Sequence, residues 1–155
     1  MKSNFSISSA VIAGLAATAA MTVFTFMAPL IGIEMNIPKM LAGTMGTPVI
    51  VGWIAHFMIG VILAVSFAVV YYPNFGSSNK IKSGAIFSLV PWLMAQIIIM
   101  PMMSIMNGES YGAGFFSGSI LLASASLVGH LLFGVVLGLL YKTDNITELK
   151  IQKVF

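Results

Sequence analysis

The chain has 155 residues, of which 59% are hydrophobic and only 7% are charged. Soluble domains contain about 25% charged residues, so this composition excludes an ordinary soluble globular protein. The absence of cysteine excludes disulfides and thiolate metal sites, and the scattered lysines form no basic cluster of the kind that binds nucleic acid.

Charged residues divide the chain into neutral stretches of 31, 40, 26 and 32 residues. Each stretch can cross a bilayer, because a spanning helix needs about 20 apolar residues. The sequence therefore predicts an all-α fold, a four-helix transmembrane bundle that forms one membrane domain over residues 1–155. The helices are predicted at about residues 8–31, 48–72, 83–103 and 116–141. Pro91 lies inside the third helix and is expected to kink it.

The lysines predict the orientation of the bundle in the membrane. Six of the seven lie on the side of both termini, and only Lys39 lies on the opposite side. Because cytoplasmic loops are enriched in lysine and arginine, both termini are expected in the cytoplasm, with the protein in the cytoplasmic (inner) membrane. The tail at 143–155 is expected to anchor at the headgroups, and residues 108–118 to form a flexible outer loop. Tyr71, Tyr72 and Tyr141 fit interfacial anchoring.

Small residues at helical spacing predict the faces on which the helices pack. Membrane helices associate where small side chains let the backbones approach. The second helix carries Gly52 and Gly60, and the fourth carries Gly134 and Gly138, on faces that should point into the bundle. The third helix shows no comparably clear stripe.

Sliding the chain against itself by 74 residues reveals an internal similarity. The segment HFMIGVILA, from His56 to Ala64, then matches HLLFGVVLG, from His130 to Gly138, and the two histidines of the chain coincide. The pattern predicts a duplicated two-helix hairpin whose halves share one orientation in the membrane.

Both histidines are expected at a similar depth below the outer face, together with the polar side chains of Gln96, Ser126 and Thr25. One interpretation is a layer of neutral hydrogen bonds between helices, in which the imidazoles bond to Gln96, Ser126, Thr22, Thr25 or a backbone carbonyl. A second is axial ligation of a b-type haem by His56 and His130, although the chain has no arginine to pair with the propionates. A third is a proton relay or a path for a small solute.

A cluster of methionines lies at the outer end of the third helix. Thioethers are soft ligands that suit Cu(I), so Met100, Met102, Met103 and Met106 are candidate metal ligands. The alternative is that these flexible side chains only fill irregular gaps between helices.

Three segments resemble a family of small four-pass prokaryotic membrane proteins of unknown function. They are GWIAHFMIG (Gly52 to Gly60), PWLMAQIIIMPMM (Pro91 to Met103) and SLVGHLLFGVVLGLLY (Ser126 to Tyr141). The resemblance covers nearly the whole chain and implies the same four-pass architecture. It implies no activity, substrate or cofactor.

These features favour a non-enzymatic accessory or assembly component of a larger membrane complex. Its expected partners are the lipid bilayer and either other membrane subunits or further copies of itself. The alternatives are a bis-histidine haem electron carrier and a pore or carrier for a small solute or proton.

Overall fold

The computed structural model describes residues 5–143. Within this range lie the helices α1 (Ile7–Met27, continued by a 3₁₀ turn at Ala28–Ile31), α2 (Ile37–Met45), α3 (Val49–Phe75), α4 (Lys80–Met106) and α5 (Ile120–Leu140). A helical turn at Tyr111–Gly114 and a 3₁₀ turn at Phe115–Gly118 connect α4 to α5. Of the predicted tail, only Thr143 lies within the described residues.

The predicted all-α bundle of spanning helices is confirmed. In the described part of the chain, α1, α3, α4 and α5 are long and apolar enough to cross a membrane. The boundaries of α4 and α5 differ from the prediction. Helix α4 begins at Lys80 because the side chain of Asn79 caps it, accepting from the backbone N–H of Lys82 at 3.0 Å. Helix α5 begins only at Ile120 because Phe116 and Ser117 have positive φ angles, which no α-helix accommodates.

Helix α2 is an element that the sequence analysis did not predict. It starts at an Asn36 cap, with Pro38 in its first turn, and ends at Gly46, whose φ is 64°. Gly52 of α3 packs on it so closely that a Cβ atom there would overlap the carbonyl oxygen of Pro38. Gly52 is therefore a packing residue, as predicted, but it packs against this short helix.

Glycine contacts fix the spanning helices in close pairs. A Cβ atom on Gly84 of α4 would overlap the carbonyl oxygen of Gly134 and lie 2.9 Å from the amide nitrogen of Gly138. A Cβ atom on Gly60 of α3 would likewise overlap the Thr18 hydroxyl of α1. The predicted packing roles of Gly60, Gly134 and Gly138 thus agree with the structure. The third spanning helix, however, does contribute a small residue to this packing.

A cluster of aromatic rings joins the helices at the end of the bundle that carries Phe5, Asn79 and Thr143, here called the terminal end. Phe67 of α3 lies 5.3 Å from the ring of Phe87 in α4 and 5.6 Å from that of Tyr141. Tyr71 and Tyr72 complete the cluster. Tyr141 is 1% exposed, so its predicted role as an interfacial anchor is wrong; it belongs to the core.

At the opposite end, here called the far end, α3 and α4 separate. The structure shows close packing of α1 with α3, of α1 with α5 and of α4 with α5. Helices α3 and α4 meet mainly through the π turn at Phe67–Tyr71, near the terminal end. The bundle is therefore closed at the terminal end and open between two helices at the far end.

We expect the variant Gly84→Ala to destabilise the α4–α5 pair. Its methyl group must push the two backbones apart, and overpacking of this kind costs about 1–3 kcal/mol. Thermal unfolding in detergent, followed by circular dichroism, measures the loss. The matched control is Gly43→Ala in α2, where a Cβ atom has open space and alanine should be neutral or stabilising. Equal stability of the two variants would contradict the close approach.

Candidate functional site

The space left by the separation of α3 and α4 is a cavity of about 410 Å³. All four spanning helices, α2 and the segment that leads into α2 contribute to its wall. Most of the lining is apolar. Its polar residues include Glu34 and Asn36 from the far-end connection, Thr18 of α1, and a layer that contains His56, His130, Gln96, Ser117 and Ser126. The structure therefore brings the two histidines, Gln96 and Ser126 together, as the sequence analysis predicts.

His56 is held by α1. Its side chain is 6% exposed, and its Nε2 atom lies 2.9 Å from the hydroxyl oxygen of Thr22. That hydroxyl lies 2.7 Å from the carbonyl oxygen of Thr18, which can only accept a hydrogen bond. The hydroxyl of Thr22 therefore donates to Thr18, and we assign the proton of the His56 ring to Nε2, which donates to Thr22. The Nδ1 atom of His56 keeps its lone pair.

His130 uses the other ring nitrogen. Its Nδ1 atom lies 2.8 Å from the backbone carbonyl oxygen of Ser126, one turn earlier in α5. Because a carbonyl oxygen only accepts, we assign the ring proton to Nδ1. The Nε2 atom of His130 then carries a lone pair, and no described residue donates to it.

Gln96 ties the far end of the bundle to this layer. It is 1% exposed and lies in the π turn Ala95–Ile99 of α4. Its Nε2 atom donates to the hydroxyl of Ser126 at 3.2 Å, and its Oε1 atom accepts from the hydroxyl of Ser117 at 2.7 Å. One buried amide thus joins α4, α5 and the connection between them.

The 111–118 segment, predicted as part of a flexible loop, forms a helical turn and a 3₁₀ turn that pack against α4; its flexibility stays a prediction. The hydroxyl of Tyr111 donates to the backbone carbonyl of Ile97 in α4, close to Pro101, which has no N–H to bond a carbonyl of the preceding turn. Gly114 packs so closely on α4 that a Cβ atom would overlap the carbonyl oxygen of Met100. These contacts hold Ser117 within reach of Gln96.

Two consecutive residues in this segment have an unusual backbone conformation. Phe116 has φ 50° and Ser117 has φ 56°, and a left-handed conformation costs about 1–3 kcal/mol for a residue other than glycine. The contact of the Phe116 ring with Trp92, at 6.3 Å between centroids, and the bond from Ser117 to Gln96 help offset this cost. Backbone strain of this kind often accompanies functional sites.

One prediction about the polar layer needs correction. Thr25 is buried, but its hydroxyl donates to the carbonyl of Thr22 in its own helix and does not line the cavity. The residue that contacts His56 is Thr22, which lies one turn closer to the terminal end. Both threonines were candidate hydrogen-bond partners of the histidines, and the 3.6-residue period places them on one face with Thr18, but Thr22 was not among the predicted site residues.

The methionines at the far end of α4 do not converge. Met100 and Met103 line the cavity, whereas Met102 and Met106 are 52% and 63% exposed on the outside of the bundle. The four thioethers therefore do not form a single metal site. Among the described residues, no group of three or more histidine, aspartate or glutamate side chains is placed to hold a metal ion.

The residues around the histidines do not fit a bis-histidine haem. The Nε2–H of His56 donates to Thr22. The lone pair of the His56 ring, which would have to bind the haem iron, is therefore on Nδ1, the ring nitrogen next to the backbone. Among the described residues, the one charged side chain that lines the cavity is Glu34, whose carboxylate would repel the haem propionates.

A family model described as a family of unknown function (DUF6789) matches residues 5–148. The chain belongs to this family. The predicted resemblance is thereby confirmed, and the match includes all the segments that line the cavity. Comparison with curated proteins and with solved structures finds no match.

We expect Gln96→Leu to release the 111–118 segment from α4. The substitution keeps the volume but leaves the hydroxyl of Ser117 without its acceptor, and interhelical hydrogen bonds in membranes contribute about 0.6 kcal/mol each. Hydrogen exchange measured by mass spectrometry should show faster exchange in peptides that cover 111–118. Peptides from α1 should not change.

The matched control is Met102→Leu, a substitution on the outside of the same helix. It should leave exchange in the 111–118 segment as it is. Unchanged exchange in both variants would show that the amide of Gln96 does not hold the segment.

Proposed function

We propose that the protein is a non-enzymatic accessory component of a larger membrane complex and that it holds a small molecule in its central cavity. The observation that carries this proposal is the cavity itself, which has walls from the four spanning helices and α2 and a polar layer around His56 and His130. Ligand sites in membrane bundles are built in this way, from a few polar groups on facing helices within an apolar wall.

The shape of the cavity favours binding over conduction. The cluster of Phe67, Tyr71, Phe87 and Tyr141 closes the bundle at the terminal end. A path across the membrane would require these rings to separate, whereas entry from the far end requires no such change. A pore or a carrier for a small solute is therefore a weaker candidate than a binding protein.

An accessory role is supported by how little of the described chain lies outside the spanning helices. The connection between α3 and α4 is residues 76–79, and the far-end connections are residues 32–48 and 107–119. Contacts with partners therefore have to be made mainly within the membrane. Large apolar side chains remain exposed along α3, among them Ile50, Ile54 and Ile62.

We also propose that the bundle arose by duplication of a two-helix hairpin. Thr22 and Gln96, like His56 and His130, are separated by 74 residues. Thr22 bonds directly to His56, and Gln96 reaches His130 through Ser126. Each hairpin thus places a polar residue of its first helix beside the histidine of its second helix, which supports a common origin.

Native mass spectrometry of complexes released from membranes with a mild detergent tests the proposed function. We expect the chain to appear with other membrane subunits and with additional non-protein mass. Ala95 lines the cavity, so Ala95→Leu should fill part of the volume and reduce the ligand-bound fraction several-fold without releasing the subunits. The matched control is Ile98→Leu, on the exposed side of α4. A lone chain that carries no added mass would contradict the proposal.

We propose that the terminal end faces the cytoplasm, as the lysine distribution favours, and cysteine labelling tests this orientation. The chain contains no cysteine, so Ser78→Cys at the terminal end and Glu109→Cys at the far end introduce single thiols at exposed positions. In intact cells with a permeable outer membrane, a membrane-impermeant maleimide should label Glu109→Cys only. Lysed cells provide the control, because both thiols should then react. The reverse pattern in intact cells would place the termini outside.

A further inference from the structure

The polar layer of the cavity presents hydrogen-bond acceptors on both histidines. His56 uses its Nε2–H on Thr22, and His130 uses its Nδ1–H on the carbonyl of Ser126. The nitrogens that remain, Nδ1 of His56 and Nε2 of His130, are acceptors. Neither of these two nitrogens is a fully buried polar atom that lacks a hydrogen-bond partner. A ligand must therefore bring its own proton to bond with either ring.

Most of the other polar groups of the layer already take part in hydrogen bonds within the protein. The hydroxyl of Ser117 donates to Gln96, and Gln96 donates to Ser126. The hydroxyl of Ser126 accepts that bond and remains able to donate as well. A ligand that has only acceptors can therefore bond to Ser126, whereas a ligand with a hydroxyl group can also satisfy an imidazole nitrogen.

The remainder of the wall indicates an apolar ligand body. Leu63, Leu122 and Phe133 line the cavity away from the polar layer. Ile59 of α3 and Ile99 of α4 also line it, and they are 43% and 46% exposed at the seam where the two helices separate. This seam faces the acyl chains of the bilayer, so a membrane-soluble molecule can enter through it.

Charge disfavours two classes of ligand at the polar layer. Glu34 is the charged residue of the described lining, and its carboxylate disfavours a phosphate or a carboxylate. The polar layer holds no carboxylate to pair with a cation, and an unpaired charge in the membrane interior is costly. The site is therefore suited to a neutral molecule.

We propose that the cavity binds a neutral, apolar molecule that carries a hydroxyl group, and that this group donates its proton to Nε2 of His130 or Nδ1 of His56. The apolar part of the ligand lies in the seam between α3 and α4. Alkylphenols and long-chain hydroquinones have this chemistry. This inference rests on the proposed function, because it specifies the class of small molecule that the cavity holds.

Binding of 4-octylphenol and of its methyl ether, 4-octylanisole, tests the inference. The two probes have nearly the same shape, but the ether has lost the donor. Titration calorimetry with the protein in nanodiscs, corrected with empty nanodiscs, should give about tenfold tighter binding of the phenol, the value of one good neutral hydrogen bond. Equal binding of the two probes would overturn the inference while leaving the proposed function in place.

Substitution of His130 identifies the acceptor. In His130→Phe, affinity for the phenol should fall about tenfold, towards that of the ether, while affinity for the ether should not change. In His130→Gln, the side-chain oxygen restores an acceptor and should recover part of the preference. Val128→Leu, on the exposed side of the same helix, is the control. His56→Phe measures the share of the other ring in the same way.

Two further outcomes would overturn the inference. The first is a phenol preference that persists when both histidines are replaced, in protein that keeps its helical circular dichroism. The second is the absence of binding by either probe to the unsubstituted protein. If native mass spectrometry nevertheless shows a bound small molecule, the proposed function survives and only the hydroxyl-bearing class is rejected.

Discussion

Backbone contact between paired helices is the constraint on which this structure depends. Glycines let α1 approach α3 and let α4 approach α5 until a single added Cβ atom would overlap the neighbouring helix. Because lipid chains are as apolar as the helix surfaces, such packing replaces the hydrophobic effect as the force that holds membrane helices together. Each hairpin is consequently a closely packed pair of helices. Contacts between α1 and α5 join the two hairpins, the aromatic cluster joins them further at the terminal end, and only α3 and α4 remain apart at the far end.

The cavity is a direct consequence of this arrangement. Helices α3 and α4 come from different hairpins and lack the glycine contacts that hold each hairpin together. In their far-end halves, the side chains of α3 and α4 line the cavity and do not interlock with each other. In this space, backbone irregularity is tolerated. The π turn of α4 and the left-handed residues Phe116 and Ser117 lie beside the cavity, in keeping with the rule that irregular backbone at membrane depth is buried in protein or lines a cavity.

The far end shows how a backbone defect acquires a side-chain partner. Pro101 removes one N–H from α4, and the hydroxyl of Tyr111 donates to the carbonyl of Ile97 in the preceding turn. That bond holds the connection to α5 against α4, and Ser117 then reaches Gln96. The polar layer is therefore positioned by the connection between α4 and α5 as well as by the helices of the bundle. The two histidines meet different neighbours in it, and for this reason they use different ring nitrogens.

The sequence by itself determined the number of spanning helices, their approximate limits and the packing faces with Gly60, Gly134 and Gly138. The length of an uncharged stretch and the spacing of glycines along a helix are local properties. They can be read from the sequence without knowing which other helix each one packs against. It also indicated that His56, His130, Gln96 and Ser126 lie in one layer. It missed α2, although Asn36, Pro38 and Gly46 are recognisable cap residues, because a helix of nine residues carries too little periodic signal between two long apolar runs.

Only the tertiary structure decided which helices separate, and hence that a cavity exists at all. It also decided that Thr22 rather than Thr25 contacts His56, that the methionines face two ways, and which nitrogen of each ring carries the proton. The physical reason is that all of these depend on the rotation and spacing of helices distant in sequence. A change of a few ångströms in the distance between two such helices does not alter the composition of the sequence or the spacing of its apolar residues.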